Sequence, residues 1–170
     1  MKYDDSLGGT FSHDCGLARS IGYYIEGVLP LLLFAKENTK IQFSGITNDE
    51  LDLSVDIIRS VTIPLLTYLG IPGLNLTIKK RGAAPKGGGV IEFTCHYIRE
   101  LSPIFMTEVG LIKRIRGLAY CTKVSPSILP RVIDASRQVL NHLIPDVYIH
   151  TDNYQYVHHH YCDQDMLMIK

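Results

Sequence analysis

Apolar and polar residues alternate in the middle of the chain, where two short strands are predicted. Residues 74–80 read Leu-Asn-Leu-Thr-Ile-Lys-Lys, which places an apolar side chain at every second position, as in a half-buried strand. Residues 90–95 are rich in β-branched and aromatic side chains, which also favours a strand. Gly82 and the consecutive glycines Gly87, Gly88 and Gly89 lie between the two runs. The pattern therefore predicts a β-hairpin with a glycine-rich turn.

Two stretches before this hairpin repeat apolar residues every three or four positions, as amphipathic helices do. They predict a first helix over about 15–35, capped by residues 12–14 (Ser-His-Asp), and a second helix over about 54–69. Pro30 is expected to kink the first helix. Together the two helices are expected to pack on one sheet. Their predicted apolar faces are Leu17, Ile21, Ile25, Val28 and Leu32, and then Ile57, Ile58, Val61, Leu65 and Leu69.

Further strands and a third helix complete the predicted order of elements, which makes the fold class α/β. Strands are expected over 40–44, 103–106, 112–122 and 147–151, and the third helix is expected to open at Ser125-Pro126. Strand, helix and strand after residue 112 suggest a crossover in a separate small unit, with a boundary near 103–111. Residues 1–12 are expected to form a polar lead-in, and residues 153–170 a frayed terminus.

Composition narrows the class of protein further. The 170 residues are 46% hydrophobic and 20% charged, so a packed core is expected and wholesale disorder is excluded. The formal net charge is zero, so RNA binding would have to come from a local basic patch. Two such clusters exist, one at Lys79-Lys80-Arg81 with Lys86 and one at residues 113–116 (Lys-Arg-Ile-Arg). Each is either a solvated face or a phosphate-binding face.

The glycine-rich turn is the first candidate for chemistry. Arg81 and Lys86 flank it, so two cations and several backbone N–H groups could face one anion. It is not a Walker A loop, because no Lys-Ser/Thr pair follows the glycines. The alternative is a hairpin that needs glycine for its backbone geometry. From the residues alone, both interpretations stay open.

Other candidate sites are weaker. The cysteines at 15, 95, 121 and 162 have no metal-ligand spacing and suggest reduced thiols of an intracellular protein. The run of histidines at 158–160 beside Cys162 could bind zinc or copper, but a second ligand cluster is missing, so no metal is expected. His13 beside Asp14 could act as an acid or base, although helix capping explains both residues. The polar start and the short longest apolar run, 28–35, predict neither a signal peptide nor a membrane span.

Several runs of residues resemble a known family. Residues 81–92, Arg-Gly-Ala-Ala-Pro-Lys-Gly-Gly-Gly-Val-Ile-Glu, resemble the glycine-rich signature of the RNA 3′-terminal phosphate cyclases and their relatives. The segment 13–26 is more similar to the family's cyclase-like branch, the eukaryotic nucleolar proteins of small-subunit ribosome assembly. Runs at 45–49, 115–120, 124–126 and 144–152 follow in the same order, so the resemblance covers about residues 7–152.

The resemblance implies a fold and a domain organisation. Members are built from repeats of two helices on a four-stranded sheet, with a smaller α/β domain inserted. Residues 1–106 would then be one cyclase-type repeat and residues 107–152 the start of the insert, leaving 153–170 as an unmatched tail. Catalytic members adenylylate a histidine that lies late in the chain, in a segment expected to be absent here, so the resemblance implies no catalytic residue and no cofactor.

The resemblance also implies a function. The cyclase-like branch is expected to act without catalysis in 18S pre-rRNA processing, in the nucleolus, with the small-subunit processome and a ribosome-assembly GTPase. Contact with pre-rRNA would be direct or through these proteins, and no membrane partner is expected. The candidate anion site is Arg19, Arg81, Lys86, Gly87, Gly88 and Gly89. The alternatives are an RNA 3′-phosphate cyclase that forms 2′,3′-cyclic phosphate with ATP, and a non-functional truncated product.

Overall fold

The computed structural model describes residues 8–105, 107, 110–122, 125, 127–152 and 166–169. The chain divides into two compact units, Met1–Phe105 and Met106–Lys170, called here the first and the second unit. The fold is mixed α/β, with a four-stranded sheet and helices, as predicted. The assignment of the two units to a cyclase repeat and an inserted domain stays a prediction.

The first unit is built on a sheet with the strand order β1-β2-β4-β3. Its strands are β1 (Gly9–Asp14), β2 (Thr39–Gly45), β3 (Leu74–Lys80) and β4 (Gly89–Cys95). Strands β1 and β2 are parallel, whereas β4 runs antiparallel to both β2 and β3. The carboxyl ends of β1, β2 and β3 therefore meet at one edge of the sheet. The predicted hairpin, β3–β4, and the predicted strand over 40–44 are confirmed.

One face of this sheet is buried and the other is polar. Residues alternate between buried and more exposed positions along β2, β3 and β4, because successive side chains of a strand point to opposite faces. Ile91 and Phe93 of β4 are almost fully buried, each a burial that stabilises the fold by about 1.5–3 kcal/mol. The helices pack against this apolar face.

Helix α1 (Ile21–Leu33) is confirmed, but it is shorter than predicted. Residues 15–19 form an irregular turn, and 12–14 lie in β1 instead of capping the helix. Strand β1 escapes prediction because it lies at the sheet edge with almost every residue exposed, so it shows no apolar periodicity. Leu17 was predicted on the apolar face of the helix, but it precedes the helix and is exposed.

The second predicted helix is present in three consecutive segments: α2 (Val55–Ile57), a π-helical turn (Ile58–Thr62) and α3 (Ile63–Tyr68). Pro64 has no backbone N–H to donate. In the π turn just before it, each N–H donates to the carbonyl oxygen five residues earlier instead of four. Inward-facing residues are consequently Val55, Ile58, Ile63 and Leu66, with a spacing of five across the π turn. The prediction of Val61 and Leu65 as core residues is therefore wrong, and both are exposed.

The second unit is a three-stranded sheet with one helix. Its elements are β5 (Ile115–Thr122), α4 (Ile128–Leu140), β6 (Val147–Asp152) and β7 (Met166–Ile169), with the strand order β6-β5-β7. Strands β5 and β6 are parallel, as the predicted crossover requires, and β7 pairs antiparallel with β5. Leu129 and Ile133 of α4 pack against Val147 and Ile149 of β6.

Three predictions for this part of the chain need correction. Residues 103–105 form no strand, and residue 106 lies outside the described residues. The third helix begins at Ile128 instead of Ser125-Pro126, and Pro126 is also outside the described residues. The prediction of a frayed terminus is wrong for Met166–Ile169, which pair with β5. A short apolar run can complete a sheet whose other strands are distant in the sequence.

Candidate anion site at the glycine-rich turn

The turn between β3 and β4 lies at the sheet edge where β1 and β2 also end. Three short backbone pairings assemble this edge: Ser20 with Ile46, Asn48 with Ala83, and Gly45 of β2 with Gly89 of β4. Helices α1 and α2 both begin at this edge, because each follows a strand that ends there. The chain thereby brings helix N-termini, a glycine-rich turn and nearby cations together, which are the usual parts of an anion site.

Most of the turn glycines are explained by close backbone packing. A Cβ at Gly82 would lie 2.6 Å from the Gly87 carbonyl oxygen, and one at Gly89 would lie 2.8 Å from the Gly45 carbonyl oxygen. Gly87 has a φ of +60° and would meet Leu17 at 2.7 Å. Only Gly88 of the glycine run faces open space, and its φ is +76°. Close packing therefore accounts for Gly82, Gly87 and Gly89, and the left-handed backbone favours glycine at Gly87 and Gly88.

Thr47 fastens the turn to the end of β2. Its backbone N–H donates to the Gly82 carbonyl oxygen at 2.8 Å, and its hydroxyl also donates to that oxygen at 2.9 Å. The Gly82 N–H lies 3.2 Å from the same hydroxyl oxygen. Both groups are buried, so these hydrogen bonds satisfy backbone atoms that water does not reach.

Arg81 forms a buried ion pair with Asp56 in the first turn of α2. Its Nη1 and Nη2 donate to Asp56 Oδ2 and Oδ1 at 2.7 and 2.9 Å, and the two side chains are only 2% and 4% exposed. The Asn48 side-chain amide adds a bond of 3.2 Å to Asp56. Burial alone would raise the pKa of Asp56, but the hydrogen bonds and charge of Arg81 outweigh it and lower the pKa. The charge of Arg81 is thus directed into the protein.

Arg19 is paired with a different carboxylate, Asp52. Arg19 Nε and Nη2 both donate to Asp52, and the Ser20 backbone N–H donates to Asp52 Oδ2 at 2.9 Å. The hydrogen bond from Arg19 lowers the pKa of Asp52 to about 2 against the effect of burial. The guanidinium carbon of Arg19 also lies 3.9 Å from the centre of the Tyr23 ring. Asp52 thus occupies the start of α1 with a carboxylate of the chain itself.

The six sequence-predicted residues share this edge but differ in accessibility. Lys86 and Gly88 are exposed, Arg19 is partly exposed, and Arg81 is buried. The residues that the sequence reasoning missed are the two partner carboxylates, Asp52 and Asp56. Their only sequence signal is the acidic run 49–56, Asp-Glu-Leu-Asp-Leu-Ser-Val-Asp, which leads into the first turn of α2 and suits a helix N-terminus.

Among the other side chains considered for chemistry, His13 has a packing contact, and Cys15 and Cys95 are buried. His13 lies on β1 and its ring contacts Tyr24, with ring centres 5.3 Å apart. Burial raises the pKa values of the Cys15 and Cys95 thiols to about 11, with Asp14 contributing at Cys15. Within the described ranges no group of three metal-ligating side chains is found, and the histidine run at 158–160 lies outside them. No helix in the same ranges has the length and apolar character needed to cross a bilayer.

Comparison with known proteins defines the class. Helices on a four-stranded sheet, with a glycine-rich turn at the strand ends, make the first unit an α/β fold. The chain belongs to the RNA 3′-terminal phosphate cyclase family, whose family model matches residues 3–169. This confirms the resemblance found in the sequence.

Several relatives are named as cyclase-like proteins, and one is named for rRNA processing. The chain is 47% identical over 148 residues to the "RNA 3'-terminal phosphate cyclase-like protein" of Homo sapiens, which covers 86% of this chain and 40% of that protein. It is 44% identical over 149 residues to the "rRNA processing protein rcl1" of Schizosaccharomyces pombe, and the match covers 86% of this chain and 41% of that protein. The chain therefore spans about two fifths of the length of the curated relatives it matches.

Proposed function

We propose that the chain belongs to a ribosome-biogenesis factor of the non-catalytic, cyclase-like branch. Its role is in small-subunit, 18S pre-rRNA processing in the nucleolus, within the processome. The observation that carries this proposal is the 44% identity over 149 residues to a protein named for rRNA processing. The cyclase-like names of the other relatives, such as the human one, support action without cyclisation.

The partners follow from the same proposal. A ribosome-assembly GTPase and small-subunit processome proteins are the expected protein partners, and pre-rRNA is the expected nucleic acid, bound directly or through them. Because the chain spans about 40% of its relatives, these partners are proposed for the protein that contains this sequence, and binding by this chain alone is tested separately.

The glycine-rich turn is proposed to contribute a phosphate contact. Lys86 and Gly88 are exposed in the turn, and Arg19, at the same edge of the sheet, is partly exposed. Arg81 supports this contact by holding the turn through Asp56. If so, affinity for RNA falls steeply with salt, and Lys86→Ala weakens it without destabilising the fold. Salt-independent affinity would overturn this contact.

The test is made in cells of the source organism. Depletion of the protein that contains this sequence is expected to reduce 18S rRNA and to accumulate its uncleaved precursor on northern blots, with a tagged copy in the nucleolus. Expression of the intact gene should restore the precursor pattern. Normal 18S processing after verified depletion would refute the proposed function. A size-exclusion and circular-dichroism profile of the purified chain decides the truncated-product alternative, which predicts aggregates or a non-cooperative melt.

Cyclase activity is the second candidate, because the matched family is described as RNA 3′-terminal phosphate cyclase. Incubation of the chain with ATP labelled in the α-phosphate tests it directly. We expect no covalent protein–AMP adduct and no cyclisation of an RNA 3′-phosphate. An adduct that survives denaturation, with matching 2′,3′-cyclic phosphate formation, would replace the non-catalytic proposal.

A further inference from the structure

We propose that the second unit binds single-stranded RNA on the sheet face that carries Tyr148 and His150, with the bases stacking on these two rings. This inference rests on the proposed role in RNA processing and adds a specific binding surface to it. The surface is called here the aromatic face, and it consists of Arg116 and Leu118 of β5 with Tyr148 and His150 of β6.

The pairing of β5 with β6 creates this face. In their parallel register Arg116 lies beside Tyr148, and Leu118 lies beside His150. Paired residues in neighbouring strands point to the same side of a sheet, and successive residues alternate. The alternate residues, Ile115, Ala119, Val147 and Ile149, form the core with α4. The helix therefore covers one side of the sheet, and the aromatic face lies on the other, where Tyr148 and His150 are exposed while Tyr120 near the end of β5 is buried.

The two rings of the aromatic face are exposed and in contact. Tyr148 is 50% exposed and His150 is also exposed, and both lie on β6, an outer strand of the unit's sheet. Their ring centres are 4.4 Å apart with an angle of 71° between the planes, so the edge of one ring rests against the other. This contact restricts both side chains before any ligand binds, which lowers the entropy lost when a base stacks on them.

Positive charge gathers at the end of the sheet beside these rings. Lys113 and Arg114 are exposed just before β5. Arg116 binds Asp146 through two hydrogen bonds of 2.8 and 3.1 Å. The hydrogen bonds from Arg116 are the main reason that the pKa of Asp146 is lowered, and the charge of Arg114 adds to the effect. Two cations, Arg114 and Arg116, thus act on the carboxylate of Asp146, and the exposed Lys113 adds a third positive charge next to Arg114 in the chain, leaving an excess that complements phosphates.

This combination fits single-stranded RNA better than a duplex. Unpaired bases can splay out and stack on aromatic side chains of an open sheet, while cations at the edge contact the backbone phosphates. A duplex keeps its bases stacked on one another and offers only its phosphates and groove edges. A preference for single strands that depends on the Tyr148 ring is therefore the specific expectation.

The experiment measures fluorescence anisotropy of a labelled single-stranded RNA of about 12 nucleotides with the purified full chain. Tyr148→Ala is expected to weaken binding roughly 5- to 100-fold, the loss typical of one stacking contact. Tyr148→Phe keeps the ring and should stay within about twofold of the unchanged chain. The matched control is Tyr68→Ala in the first unit, which removes a tyrosine that is 78% exposed and should leave affinity unchanged.

Three outcomes would overturn the inference: no binding of single-stranded RNA at low salt, equal losses for the variants at 148 and 68, or equal affinity for a duplex of the same length. Circular-dichroism melts of each variant show whether folding is intact, and ultraviolet crosslinking to the β6 peptide provides a second readout in the unchanged chain. Failure here is distinguishable from failure of the proposed function, because precursor accumulation after depletion in cells does not depend on this face.

Discussion

The buried pair of Arg81 and Asp56 gives the most decisive prediction. Both side chains are at most 4% exposed and share hydrogen bonds of 2.7 and 2.9 Å. Asp56→Leu removes the buried carboxylate that Arg81 binds, and Arg81→Met leaves Asp56 with the Asn48 amide at 3.2 Å and the partly exposed Arg59 at 3.5 Å. Each single change is expected to lower the unfolding free energy of the first unit by about 3–5 kcal/mol. That is a large fraction of the stability of an ordinary domain.

The double variant, Asp56→Leu with Arg81→Met, distinguishes the effect of the ion pair from the effects of the residues around it. With both charges replaced by apolar groups, the loss is expected to be far smaller than the sum of the single losses, because no uncompensated charge remains buried. Arg81→Lys should lie between the unchanged chain and Arg81→Met, since an ammonium keeps the charge but cannot make two parallel N–H bonds. The pattern of losses, more than any single value, identifies an ion pair.

Hydrogen exchange followed by mass spectrometry measures each unit separately. Peptides from β3, β4 and α2 report the first unit, and peptides from β5 and β6 report the second. The control is Asp146→Ala, which removes the carboxylate of the exposed Arg116 pair and should leave protection in the first unit unchanged. Additive single losses would refute the reasoning. So would an Arg81→Met variant that keeps full protection but loses RNA affinity, because Arg81 would then be a phosphate ligand.

Three further predictions concern acid stability, the glycine turn and thiol reactivity. The folded-state pKa of Asp52, about 2, lies below its usual 3.8, so its contribution to stability is complete above the usual value and is lost as pH falls towards the folded value. The urea midpoint of the unchanged chain should therefore drop more steeply than that of Asp52→Asn between about pH 5 and pH 2, and parallel profiles would contradict this. Gly82→Ala should unfold the turn in a thermal melt. Gly88→Ala should lower the unfolding free energy by only about 1–2 kcal/mol, because its backbone is left-handed. Equal losses for the two variants would argue against the packing described. Iodoacetamide at about pH 8 should label Cys15 and Cys95 only after denaturant is added, because burial raises both thiol pKa values to about 11. Rapid labelling of these two thiols in the folded chain would contradict their burial.

Much of the fold was readable from local patterns. The hairpin strands β3 and β4 alternate buried and outward residues, so a period of two predicts them well. Strand β1 was missed because an exposed edge strand has no apolar period. The core face of the second helix was wrong after Ile58, because the π turn adds a residue that a period of 3.6 does not include.

The residues of the candidate site were named from the sequence, and their binding of an anion stays a prediction. Sequence reasoning found the cations Arg19 and Arg81 because they flank recognisable motifs. It did not find their partners Asp52 and Asp56, which are 33 and 25 residues away in the chain. Ion pairs over such distances depend on how strands and helices meet, and a single sequence carries no record of that.

The packing of the glycine-rich turn bears on how its sequence should be used to infer activity. Gly82, Gly87 and Gly89 each lie where an added methyl group would collide with neighbouring atoms. Natural selection for a stable hairpin is then enough to retain them, whether or not the protein turns over any RNA end. In this chain the packing of the turn accounts for these glycines, so they do not identify an enzyme, which has to be recognised by the groups that would carry out its chemistry.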